Sequence, residues 1–233
     1  IYWFMASALF FLHTFRWEDL VPLAFILSIS QLFRSFESNS PATPIFHTFF
    51  FISLGSVIFP QFLYLVPLFW ISMIPFRSIS GKSLVASILG ILTPYWFLFG
   101  YAFYSNELTL FWTPLEEAIH FYPIHYGALT LPEILSWGVI TLLLVVSGIH
   151  YVSVSYLDKT RTRIFHSFLT IAGLWITICM ALQPVHLHIL MPIQLICTAF
   201  LSGHLFTLTR NRFSGILFIV TFVVFILLMS FNL

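Results

Sequence analysis

Charged residues are what this sequence has least of. Only 7% of its 233 residues are Asp, Glu, Lys or Arg, against about a quarter in an ordinary soluble domain, and 60% are hydrophobic. So few charges cannot dress a water-exposed surface, which excludes a soluble domain and indicates an integral membrane protein. A net charge of +1 gives no basic surface for nucleic acid. Cysteine is scarce as well: Cys179 and Cys197 both sit inside apolar runs, where cysteine is a small hydrophobe, so neither a disulfide framework nor a zinc motif is indicated. The period-two alternation of a membrane β-barrel is missing, and 29 phenylalanines in long apolar runs predict helices instead. H-E-x-x-H, C-x-x-C, a Gly-rich phosphate loop, a serine nucleophile elbow and paired early aspartates are all absent, which argues against NTPase, hydrolase and metal readings. No cofactor and no metal are expected.

What is present is a series of apolar runs: Ile1 to Phe15, Leu20 to Phe33, Ile45 to Phe59, Gln61 to Ile74, Leu84 to Tyr104, Ile134 to Leu157, Ile164 to Leu182, Val185 to Leu208 and Phe213 to Phe231. They predict an all-α polytopic transmembrane bundle of about nine spans, one membrane domain over residues 1–233. The start at Ile1, inside an apolar run and without a basic region, reads as the remainder of a span in an N-terminally truncated chain. Ile45 to Ile74 could be one span, giving eight, but thirty helical residues would reach about 45 Å, and Pro60 stands at the middle. A tight helical hairpin is expected there. Pro67, Pro94 and Pro192 lie inside apolar runs, and kinks are expected at each. Ser83, Ala86, Ser87 and Gly90 put small residues on one side of a span, where a neighbouring helix can approach closely.

Orientation follows from the basic connectors. Arg34, Arg77, Lys82, Lys159, Arg161, Arg163, Arg210 and Arg212 fall on one side of a nine-span chain and only Arg16 on the other. That side, with 158–163 and 209–213, is expected to be cytoplasmic. Residues 106–132 are then on the opposite, outer side and divide two sets of spans. Within them Thr113, Pro114 and Glu116 read as an N-cap, a first helical proline and a capping-box carboxylate, predicting a short amphipathic outer-face helix near 113–121.

The chemistry-bearing residues gather on that face. Glu116 and His120 are four apart, Glu117 and His125 are beside them, and His186 and His188 lie at the outer connector QPVHLHILMP. Imidazole with carboxylate is the material of general acid/base work, so Glu116, Glu117, His120, His125, His186 and His188 form the candidate catalytic pocket. The bland reading is that these side chains face water. His150, His166 and His204 near inner span ends, and His47 near the start of another, read as interfacial histidines bonded to carbonyls or headgroups. The cluster DKTRTR (Asp158 to Arg163) reads as a topology signal that meets anionic lipid.

FISLGSVIFPQFLYLVPLFWISMI followed by PFRSISGKSLVASILGILTPYW, within Phe46 to Tyr101, resembles an uncharacterised family of polytopic inner-membrane proteins from Bacteroidetes-type bacteria. The resemblance rests on a glycine-bearing span, a proline turn, an Arg-containing connector and the Gly90 to Pro94 spacing. It covers about a quarter of the chain. It implies an inner-membrane helical bundle and no activity. The expected function is a non-enzymatic accessory or scaffold component of the cell envelope. The alternatives are an envelope enzyme acting on a lipid-linked glycan at the outer face, with Trp112, Tyr122 and Tyr126 stacking on sugars, and thirdly a transporter. The expected partners are the lipid bilayer, other membrane subunits or a lipid-linked substrate, and no nucleic acid.

Overall fold

A computed structural model describes residues 17–124, 126–208 and 212–231, and among these the secondary structure is entirely helical. The first span read from the sequence, Ile1 to Phe15, lies outside the described residues, as does His125. The helices form two compact units, residues 17–121 and residues 122–231, and the boundary falls inside the 106–132 segment. The first unit holds α1 (Leu20–Arg34), α2 (Ala42–Ile58), a 3-10 turn Pro60–Leu65 leading into α3 (Val66–Ser72), α4 (Gly81–Tyr104) and α5 (Thr109–Ile119). The second holds α6 (Leu131–Val154), α7 (Thr160–Leu182), α8 (Leu187–Leu208) and α9 (Arg212–Phe231).

Four stretches are long and apolar enough to cross a membrane: Gly81–Tyr104, Leu131–Val154, Thr160–Leu182 and Pro184–Thr207. Their outward faces carry large apolar side chains such as Trp96, Phe97, Phe103, Leu142, Ile149 and Val152, each more than half exposed. A surface of that kind is stable only against lipid or another apolar partner. α1, α2 and α3 are shorter, and fifteen residues of α1 reach only about 22 Å of a core about 30 Å thick.

In the first unit the chain turns back at Pro60. α2 ends at Ile58, Phe59 is extended at φ −134°, and the Phe49 ring meets those of Phe69 and Trp70 at 6.5 and 6.1 Å. In one continuous helix those residues would be about 30 Å apart, so the expected hairpin is the observed path. Phe25, Phe49, Phe62 and Phe69 are fully buried and meet edge to face, with Phe25 6.4 Å from both Phe62 and Phe69. α4 packs along α2 through its small residues. Ser83 and Ser87 are fully buried, and a Cβ placed on Gly90 would lie 2.6 Å from the Phe46 carbonyl oxygen. Ser53 Oγ donates to Ile91 O at 2.6 Å across this contact, beside the turn that Pro94 deprives of a donor.

Two expectations need correction. Pro67 is at the start of α3, where a missing N–H is harmless, so it makes no interior kink; Pro94 and Pro192 are inside α4 and α8. The short helix of the 106–132 segment begins at Thr109, and the Thr113 hydroxyl donates back to Thr109 O at 2.8 Å rather than capping a helix start. The preceding turn already supplies a helical carbonyl to Thr113, and Pro114 is tolerated because this exposed helix can leave one carbonyl to solvent.

In the second unit α8 is central. Residues 190–198 are continuously buried between α6 and α7. Gly173 of α7 makes room for the Leu144 methyl groups, 2.7 and 3.0 Å from where its Cβ would stand.

The α2–α4 contact gives a direct test. Gly90→Ala should lower stability by about 1 to 3 kcal/mol, the usual range for overpacking. Gly100→Ala, on the same helix with nothing within 4 Å, should be neutral or slightly stabilising. Thermal unfolding in detergent reads both, and equal midpoints would rule out the close crossing.

Candidate functional site

The sequence-predicted residues divide between the two units. In the first, Glu116 and Glu117 are exposed on α5, and their backbone rather than their carboxylates is engaged: His120 N donates to both carbonyls, and Gln61 Nε2 donates to Glu117 O at 3.3 Å. His120 is the residue after the helix, extended at ψ 116°, so it does not share a helical face with Glu116. Tyr64 holds the end of α5 by donating to Ala118 O at 2.7 Å and stacking on Phe121 at 6.2 Å.

In the second unit His188 Nε2 lies 3.2 Å from Glu133 Oε1, and the other oxygen of Glu133 accepts from Thr130 N at 2.8 Å. Glu133 thus closes the capping box that starts α6 and holds His188 at the start of α8. His186 meets the Tyr122 ring edge to face at 5.5 Å, and Tyr126 donates to Ala181 O at 2.6 Å. These contacts fasten the 122–130 segment to the ends of α7 and α8. They are structural fastenings with one half-exposed imidazole.

A more reactive arrangement lies at the basic end of this unit. Alternation of the helices brings the end of α6, the start of α7 and the end of α8 together there, and each contributes a ring. Asp158, in the α6–α7 connector, has Oδ2 2.9 Å from His204 Nε2, and the two side chains are only 12% and 9% exposed. An ionised carboxylate only accepts, so His204 carries its proton on Nε2. Nδ1 is then the lone-pair nitrogen, and among the described residues it is buried with no hydrogen-bond partner. His166 lies beside it, with ring centroids 4.3 Å apart. His166 Nδ1 donates to Thr162 O at 2.9 Å, which leaves its Nε2 as the acceptor. Tyr151 packs on both rings, at 5.7 and 6.1 Å, and is fixed by donating to Arg163 O at 2.6 Å. His150 Nδ1 is also buried without a partner.

Further along α8, about 15 Å for ten residues, stands fully buried Gln194. Its Nε2 donates to Thr141 Oγ1 at 3.0 Å and to Thr177 Oγ1 at 2.8 Å. The Thr177 proton is committed to Gly173 O, so its oxygen accepts and the amide is fixed with its NH2 toward α7. Gln194 Oε1 is left buried and unpartnered. α8 therefore presents two unmet acceptors, one mid-helix and one at the basic end. In an apolar interior each seeks a donor.

Asp158, His166 and His204 were legible only as separate features. The spacing that could have found them is Tyr151, Asp158 and His166 across one connector, with His204 at matching depth in the next long span. Among the described residues no three His, Cys, Asp or Glu side chains are grouped as a metal set. A carboxylate that orients an imidazole whose second nitrogen is free can accept a proton and pass it to a neighbouring ring.

Asp158→Ala should destabilise by about 1 to 3 kcal/mol, because His204 would keep a buried donor with no acceptor. Asp158→Asn retains an acceptor oxygen and should lose less. In a double-mutant cycle with His204→Ala the two changes should be strongly non-additive in detergent melting. Additive losses would mean that the pair is not an energetic contact. No protein-family model, no curated protein and no solved structure matches the chain, so the functional reading rests on this geometry.

Proposed function

We propose that this is a multi-pass membrane protein whose 122–231 unit takes up and hands on a proton, in the manner of a proton-coupled carrier. His204 is the acceptor, Asp158 its orienting partner and His166 the next ring. The observation that carries this reading is the buried Nδ1 of His204, without a partner among the described residues and fixed in its lone-pair form by Asp158. Intramembrane histidine and carboxylate chains are the usual material of proton relays. Gln194, with a second unmet acceptor on the proline-containing helix α8, suits a small polar solute at mid-depth. The sequence alone placed a carrier third because it offered almost no intramembrane charge, and the Asp158–His204 pair beside the tilted His166 ring supports moving it up.

The accessory or scaffold reading stands second, on a specific observation: the same Asp158 contact clamps the α6–α7 connector to the end of α8. The outer-face glycan enzyme has less support, because Glu133 is committed to its capping box and to His188. About nine spans, a bacterial inner membrane, the basic connectors on the cytoplasmic side and the family resemblance of Phe46 to Tyr101 belong to the same proposal. They are supported by the distribution of Lys and Arg and by the four long apolar stretches.

Nitrogen-15 spectra of labelled histidines in nanodiscs should show His204 as the Nε2–H tautomer, with the lone pair on Nδ1. Asp158→Asn should mix the tautomers. In liposomes holding a pH-sensitive dye, His204→Gln should slow proton influx. A His204 tautomer that Asp158→Asn leaves unchanged, with unchanged influx in His204→Gln, would leave the clamp as its role.

Orientation is checked by single cysteines at Thr160 and Ile119, with Cys179 and Cys197 replaced by serine. An impermeant thiol reagent added to intact cells should label position 119 and spare position 160. The reverse pattern would invert the topology.

A further inference from the structure

Independently of the proton reading, the first unit carries a cleft of about 560 Å3 where α1 ends and α2 begins. Two helices and their connector build it. Gln31 and Arg34, three apart on α1, and Thr43 and His47, four apart on α2, each place a pair on one helical face, while Ser38 and Ser40 form the rim. Phe51, one turn beyond His47, adds an apolar wall.

Among the described residues the lining is rich in donors and contains no carboxylate. A guanidinium, an imidazole, an amide and three hydroxyls can all present hydrogens to one ligand. The nearest acid in the connector is Glu37, and it is engaged elsewhere: Arg77 Nη1 holds Glu37 Oε1 at 3.0 Å. The connector turns there, with Glu37 in the left-handed region at φ 51°. Among the described residues Arg34 has no ion-pair partner. Among the described residues no side chain caps α2, whose first turn keeps only the amide hydrogens of Ala42 and Thr43 because Pro41 and Pro44 have none. A planar, permanently charged fork with several neutral donors around it matches the oxygens of a phosphate. The volume exceeds what a bare phosphate fills and falls within the usual range for small organic ligands.

We infer that the α1–α2 cleft binds a phosphate ester, with Arg34 and His47 on the phosphate and the organic portion against Phe51. Two sources share that chemistry, the headgroup of an anionic phospholipid and a water-soluble phosphate ester. A cleft at helix ends in a membrane protein is within reach of either.

The test uses the full chain in detergent, titrated with a phosphatidic acid, with glycerol 3-phosphate and with a diacylglycerol of the same tails. Native mass spectrometry reads bound ligand, and the melting midpoint reads stabilisation. Wild-type protein should bind at least one phosphate compound, and Arg34→Gln should weaken it by about tenfold or more. Lys82→Gln, an exposed cation that does not line the cleft, should bind as wild type. Binding of phosphatidic acid alone identifies the headgroup as the source, and binding of glycerol 3-phosphate identifies a soluble ester. Equal binding of diacylglycerol and phosphatidic acid, unaltered binding by Arg34→Gln with an unchanged ligand-free midpoint, or no phosphate binding at all would overturn the inference. Arg34→Ala and His47→Gln serve as second variants if Arg34→Gln melts early, and retained phosphate binding in both would count equally against it.

Discussion

Polar groups in an apolar surrounding must find partners within the protein, and this one constraint accounts for most of the side-chain bonding along these helices. Hydroxyls turn back onto the carbonyl one turn earlier: Ser28 to Ala24, Thr48 to Pro44, Thr170 to His166, Thr177 to Gly173 and Thr198 to Gln194, all at 2.8 or 2.9 Å. Such bonds satisfy the hydroxyl without linking helices. The few polar contacts that do cross between helices therefore carry information. Ser53 to Ile91 and Trp70 to Ser87 lock the α4 crossing, and Gln194 ties α8 to α6 and α7. Interhelical hydrogen bonds in membranes average only about 0.6 kcal/mol, so packing at Gly90 and Gly173 dominates stability and the polar contacts decide register.

Much of this was legible because hydropathy reports burial from water directly. The later runs coincide with α6 to α9 within a few residues, and the shifts have local causes. α4 begins at Gly81 because Ser80 Oγ accepts from Ser83 N at 3.1 Å, and α6 begins at Leu131 because Thr130 and Glu133 cap each other. The hairpin at Pro60 was readable from the length of the run together with the proline at its middle. Thr113 misled because its cap signature is local, whereas the helix around it was set by the turn before.

The candidate site was much less legible. Asp158 sits in a run of basic residues whose obvious meaning is topology, and nothing in the run says that its carboxylate turns inward. Its partner is 46 residues away on α8. Only the meeting of three helix ends makes them neighbours. The Glu37–Arg77 pair, 40 residues apart, was hidden for the same reason. His188 was anticipated as an outer-face residue, but its link to Glu133 depends on a cap whose signal lay in the spacing of Thr130 and Glu133.

The geometry of the two rings also limits how the basic end can work. Two imidazolium ions about 4 Å apart would repel by about 4 kcal/mol at an effective dielectric of 20, so charge on both rings at once is disfavoured. Lys159, Arg161 and Arg163 in and beside the connector add to that repulsion, and Asp158 is the carboxylate that opposes it. Without Asp158 a proton would have no reason to settle among these cations. With it, the carboxylate offsets part of that repulsion, as the proposed relay requires. A scaffold needs only the clamp that Asp158 makes with His204, and the proposed relay adds to it the tilted His166 ring 4.3 Å away.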